Sequence, residues 1–141
     1  MVIEITENLL MDHNQRARSV LENLHQDNFK IAIDDFGTGY SSLAYLQDFS
    51  ADFLKIDQTF IRNLTSTSND TALCEAIIVM AHKLGIKVIA EGIETEEQQN
   101  ILINAGCDYG QGWLFAKALP ADELTKLLRQ QVAVSCYGAN I

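Results

Sequence analysis

A parallel α/β fold is predicted by three observations on the 141-residue sequence. Short apolar runs, rich in Val, Ile and Phe, recur at residues 2–4, 29–34, 53–56, 86–90 and, more weakly, 109–114. Segments with helical spacing, long enough to serve as crossovers, lie between them, and such βαβα alternation implies parallel strands. The first four runs lack strict polar alternation, as expected for strands covered on both faces.

Taken in order, the elements carry their own start and stop signals. After the first strand, Asp12 or Asn14 can cap a helix whose Val20, Leu21 and Leu24 share one face. The second strand, 29–34, runs into a segment with two glycines, and the third, 53–56, into a short turn at 58–64. The polar stretch 65–70 has no periodicity and reads as a surface loop. Asn69 or Asp70 can cap the next helix, in which Leu73, Ile77, Ile78, Ala81 and Leu84 follow the helical repeat and Gly85 marks the end. Beyond the fourth strand, Thr95 with Gln98 spells a capping box, and Gly106 closes that helix. Pro120 suits the first turn of a last helix, with Leu124, Leu127 and Leu128 facing inward. The pattern fades at residue 132, so the expected organisation is one domain over 1–131 and a tail over 132–141. Periodicity alone leaves two architectures open, a barrel fragment and an open doubly wound sheet.

Composition narrows the function. With 48% hydrophobic residues the chain can bury a single core. A net charge of −9 and a pI near 4.6 exclude a basic surface for a nucleic-acid polymer, although divalent ions can still bring in a small anionic ligand. Cys74, Cys107 and Cys136 are odd in number, show no CxxC spacing and follow no signal peptide, which predicts reduced thiols and a cytoplasmic location. No apolar run approaches the roughly 20 residues that span a bilayer, so no membrane insertion by this chain is expected, even if a parent protein carries membrane segments elsewhere.

The polar residues cluster at the C-terminal ends of the predicted strands: Glu4 and Glu7, Asp34 and Asp35, Lys55 and Asp57, Glu91 and Glu94, and Gln111. In parallel α/β folds that edge builds active sites. Carboxylates gathered from several strands repel unless a cation compensates, and a donor set of oxygens without paired His or Cys favours Mg²⁺ or Mn²⁺. Adjacent Asp34 and Asp35 can share a site only where the strand stops being regular, because neighbours on an ideal strand face opposite ways. Lys55 lies in an apolar strand and needs a partner, which the carboxylates supply; its ammonium can also hold a water or a phosphate oxygen. Structural alternatives stand beside these: Glu91 as a helix-entry acid, Asp57 as a helix cap, Gly37 and Gly39 as turn formers as readily as a ligand-facing loop. His13, His25 and His82 fall in helices, where surface or packing roles are expected. Tyr109, Trp113 and Phe115 can stack on a base, but at a strand end they more often fill the core.

EITEN, DDFGTGYSSLAYL, FLKIDQTFI, VIAEGIET and GCDYGQGWLFAKALP, in that order and spacing, resemble the successive motifs of the EAL family of bacterial cyclic-di-GMP phosphodiesterases. The resemblance implies part of a (β/α)₈ TIM-like barrel that hydrolyses cyclic-di-GMP to linear pGpG with two divalent ions. It implies Glu4, Asp34 and Asp35 as metal ligands, with Asp34 bridging the ions. Lys55 would orient the attacking water, and Glu91 would be a metal ligand or general base. Gln111 would lie near the ligand, Glu7 would steady the loop carrying Gly37 and Gly39, and Asp57 and Glu94 would be further acidic site positions. Lys117-Ala118-Leu119-Pro120 departs from the family's usual KPLP by one residue. The E-A-L signature and an upstream asparagine ligand have no counterpart. The family's full barrel takes roughly 250 residues, so about 40% of it, the N-terminal strands, is expected to be absent. Five strands do not close an eight-stranded barrel, which predicts homodimerisation or other self-association and little turnover by the isolated chain. A non-catalytic cyclic-di-GMP-binding or protein-interaction module is the alternative.

Overall fold

A computed structural model describes residues 1–7, 15–37, 46 and 50–135. Asp12, His13, Asn14, Gly39 and Cys136 lie outside the described residues. The elements run β1 (Val2–Thr6), α1 (Gln15–Gln26), β2 (Lys30–Phe36), β3 (Phe53–Ile56), α2 (Gln58–Arg62), α3 (Asn69–Lys83), β4 (Lys87–Glu91), α4 (Glu96–Asn104), β5 (Tyr109–Gln111) and α5 (Ala121–Ser135). All five strands are parallel and lie side by side in chain order, β1-β2-β3-β4-β5, as the fold class requires.

The register divides the sheet into two unlike faces. Ile3 and Ile5, Ile31 and Ile33, Leu54 and Ile56, and Val88 and Ala90 share one face by their pairing and by the period of two along each strand. Most of these are buried, and with Ile61 of α2, Cys74, Ile78 and Ala81 of α3 and Leu102 of α4 they form the core. The opposite face carries Glu4, Asp34, Lys55, Glu91 and Gln111, all at matching parity. Two strands extend further than the apolar runs foretell. β1 continues to Thr6, which leaves Glu4 in mid-strand, and β2 continues to Phe36, past both aspartates.

The N-terminal edge of the sheet is fastened by two equivalent clusters. Asp52, just before β3, accepts hydrogen bonds from Ile31 N–H (3.0 Å) and Lys30 Nζ (2.6 Å), with His25 Nε2 at 3.7 Å. Asp108, just before β5, accepts from Val88 N–H (2.8 Å) and pairs with His82 Nε2 (2.8 Å). In both, burial alone would raise the carboxyl pKa, but these hydrogen bonds outweigh it and hold the group below its ordinary value. Each cluster ties the last turn of a helix, the start of one strand and the start of the next.

Capping follows the local chemistry with one exchange of residue. Thr95 and Gln98 form the expected capping box, whereas Ser68, not Asn69 or Asp70, caps α3 by accepting from Thr71 N–H. Gly85 and Gly106, both at positive φ, follow the helices they were expected to end. Several apolar side chains expected inside are exposed: Val20 on α1, Leu73 on α3, Leu124 and Leu128 on α5, and Tyr109, Trp113 and Phe115 around β5. For the β5 and α5 group the reason is topological: β5 is a three-residue strand at the sheet edge, so no described strand lies beyond it to receive them. α5 extends through Ser135, past residue 132 where the apolar pattern fades, since the next helix breaker in the sequence is Gly138. No helix of the described residues is long and apolar enough to cross a membrane.

Candidate metal and phosphodiester site

Lys55 is the centre of the polar face. It sits in β3 between the core residues Leu54 and Ile56, and only 6% of it is exposed. Its Nζ meets Glu91 Oε1 at 2.7 Å, Asp34 Oδ1 at 2.9 Å and Glu4 Oε1 at 3.0 Å. Three carboxylates from three other strands thus converge on one ammonium. Burial pulls the Lys55 pKa down, but the hydrogen bonds to Glu91, Asp34 and Glu4 outweigh it, and the net shift is upward. The lysine stays charged. Three carboxylates against one ammonium leave two negative charges uncompensated at the sheet's polar face.

The surrounding residues hold this arrangement. Gln111 Nε2 donates to Glu91 Oε1 at 2.7 Å, an oxygen shared with Lys55, because β4 and β5 pair residue 91 with residue 111. Asp35 has φ +57, and the β2–β3 register shifts between Ile33 and Phe36. That irregularity is how two adjacent aspartates depart from strict alternation, and Asp residues tolerate this backbone better than most. Asp34 reaches Lys55, while Asp35 is exposed and does not. Buried Glu7 accepts the Gly37 N–H at 3.1 Å, and so ties the end of β1 to the turn after β2. Asp57 caps α2, accepting from Thr59 N–H and Oγ1. Glu94 is exposed at the rim of a cavity of about 320 Å³ that it shares with Arg62, Gln111 and Trp113, beside Glu91. Lys117 Nζ lies 5.1 Å from the Trp113 ring centre.

The donor set suits a hard divalent ion, being oxygen-only with excess negative charge. As arranged, its focus is the ammonium: among the described residues, no three Asp, Glu, His or Cys side chains are grouped so as to hold a metal ion. The fit is therefore one of chemistry, and an ion would share or displace the contacts that Lys55 now makes. Of the residues singled out in the sequence, Glu4, Asp34, Lys55, Glu91 and Gln111 come together on one face, whereas the Asp52 and Asp108 clusters were not foreseen. Their signal was available, since His25 and His82 each stand five residues before Lys30 and Lys87.

A family model described as EAL domain matches residues 1–118. The cyclic di-GMP phosphodiesterase NbdA of Pseudomonas aeruginosa is 43% identical over 127 residues, 90% of this chain and 16% of that protein. The structure of PaMucR phosphodiesterase in its c-di-GMP complex superimposes with a TM-score of 0.81 at 43% identity, covering 87% of this chain and 50% of that one. A manganese/cyclic-diGMP complex of Klebsiella pneumoniae BlrP1 gives 0.74 at 36% identity, covering 82% and 30%. The chain thus spans half or less of the proteins compared here, whose fold is TIM-barrel-like and of which it carries a five-stranded part.

Proposed function

The chain belongs to the EAL domain family, and we propose that its polar sheet face is the greater part of a divalent-metal-dependent site for hydrolysing cyclic-di-GMP to pGpG. The observation that carries this is the buried Lys55 ammonium held by carboxylates from β1, β2 and β4. Glu4, Asp34, Asp35 and Glu91 are the residues that would hold Mg²⁺ or Mn²⁺. Bound there, such ions supply phosphoryl charge neutralisation and a more acidic water. Lys55 would orient the attacking water or a phosphate oxygen, and Glu91, steadied by Gln111, would accept the proton. Glu7 holds Gly37 in place. The cavity beside Glu91 offers Trp113 as a stacking face, Arg62 as a cation and Glu94 as an acceptor for a base edge.

The two free thiols among the described residues, Cys74 and Cys107, support a reducing compartment such as the cytoplasm. The outer edges of β1 and β5, which no described strand pairs, support homodimerisation, which light scattering tests: a stable monomer removes this part of the proposal. A complete site is proposed to need residues beyond these 141, so the separate chain turns over little. A second reading, binding without hydrolysis, is favoured by the way Lys55 occupies the focus of the carboxylates. Calorimetry with cyclic-di-GMP, run beside chromatographic detection of pGpG with Mn²⁺ present, separates the two. Binding without product in a protein extended to full family length selects the second reading. Neither binding nor product, in this chain and in a protein extended to full family length, rejects both.

A further inference from the structure

One five-residue helix stands above the shortest central strand. β3 stops at Ile56, level with Phe36 at the end of β2 and one residue short of Glu91 at the end of β4. α2 begins at once after β3 and is anchored by fully buried Ile61. On one side Phe60 meets the turn after β2: a Cβ placed on Gly37 would lie 2.8 Å from Phe60 Cε2. On the other side Gln58 meets the turn after β4: a Cβ placed on Gly92 would lie 2.6 Å from Gln58 Cβ and 3.4 Å from its Cα. Both glycines have positive φ, +97° and +73°, so these turns are open to the helix in space and free in backbone.

We propose that α2 is a rigid spacer between the ends of β2 and β4, with Phe60 and Gln58 as positioning residues that set how far Asp34 and Glu91 stand apart around Lys55. One contact is the outer edge of an aromatic ring and the other a helix Cβ. Close-packed groups of this kind transmit displacement instead of absorbing it. A change at the β4 turn therefore moves the β2 turn, though the two strands do not pair. The spacer's bearing on catalysis rests on the site reading above, while its mechanics do not.

The test is Gly92→Ala in the 141-residue chain, followed by amide NMR. The added methyl pushes on Gln58, and the expected result is a shift of several line widths in the Gly37 N–H, on the far side of α2. Gly85→Ala is the control, because it imposes the same kind of backbone strain (φ +76°) with nothing within 4 Å to push. It should leave Gly37 unmoved. Phe60→Leu, a milder change, runs the test in reverse and should shift the Gln111 side-chain amide, which reports on Glu91. Changes confined to the substituted side of α2 in both variants overturn the spacer, and if Gly92→Ala fails to fold, the Phe60→Leu result decides alone. Mn²⁺ titration of the same samples separates this from the site reading. Coupling across α2 where neither this chain nor a protein extended to full family length binds Mn²⁺ sinks the metal assignment and leaves the spacer standing. Several-fold weaker Mn²⁺ binding in both variants, but not in Gly85→Ala, supports both.

Discussion

Replacing Lys55 by methionine keeps most of the apolar stem and deletes the charge. Asp34 and Glu91, with side chains 24% and 16% exposed, each lose a charge-assisted hydrogen bond worth about 1.5–3 kcal/mol. Glu4 is 52% exposed, and its loss adds about 0.2–1 kcal/mol because water screens it. The desolvation of the ammonium is recovered, so the net cost is about 3 kcal/mol, at the lower end of what breaking a buried ionic group costs. That is a large share of a stability of about 5–15 kcal/mol. Urea unfolding near neutral pH in a low-salt buffer with chelator measures it. Adding Mg²⁺ or Mn²⁺ should then restore more stability to Lys55→Met than to the parent chain, since the variant's carboxylates lack their internal counter-charge. A variant within about 0.5 kcal/mol of the parent in chelator would refute the reasoning, because the three carboxylates would then not depend on Lys55.

Gly112→Ala would place a Cβ 2.1 Å from Ile93 O and 2.3 Å from Ile93 N, both backbone, so the expected loss is about 3 kcal/mol with weakened β4–β5 pairing, read by thermal unfolding. Asp52 and Asp108 titrate below the ordinary 3.8 in the folded chain, so the stability they add is present above that pH and disappears as pH falls through their folded values. Asp108→Asn should cost about 1–2 kcal/mol near neutral pH and flatten the acid limb of the stability profile; an unchanged limb contradicts the assignment. Burial pushes the Cys74 thiol up to about 12, so it should resist alkylation at mildly alkaline pH until the chain unfolds, as peptide mapping by mass spectrometry can show.

The fold class was legible because each apolar run is bounded by turn or cap residues, and because β2 buries Ile31, Ala32 and Ile33 in succession. The site was legible only as a set of strand ends. The structure shows a different rule: Glu4, Asp34, Lys55, Glu91 and Gln111 share a face through register, with Glu4 in mid-strand. Register joins residues far apart in sequence, which no local window contains. Asp35 reads from the sequence as the equal of Asp34, yet a positive φ and a register shift part them. The exposure of Trp113, Phe115 and Leu128 was illegible for another reason: hydrophobicity states what a side chain favours, and topology decides whether a neighbour is there to meet it.

The two Asp-centred clusters at the N-terminal edge give the sheet one clamped end and one working end. At the clamped end, Asp52 and Asp108 fix where each strand begins, by accepting the backbone N–H groups of Ile31 and Val88. The working end can then tolerate a left-handed aspartate, tight glycine turns and crowded carboxylates without slipping by a residue, a slip that would turn Lys55 into the core and Leu54 out of it. Inheritance should follow the same division. Changes among the strand-end loops redraw the chemistry while the register survives, whereas loss of either clamp exposes every loop above it to misalignment at once.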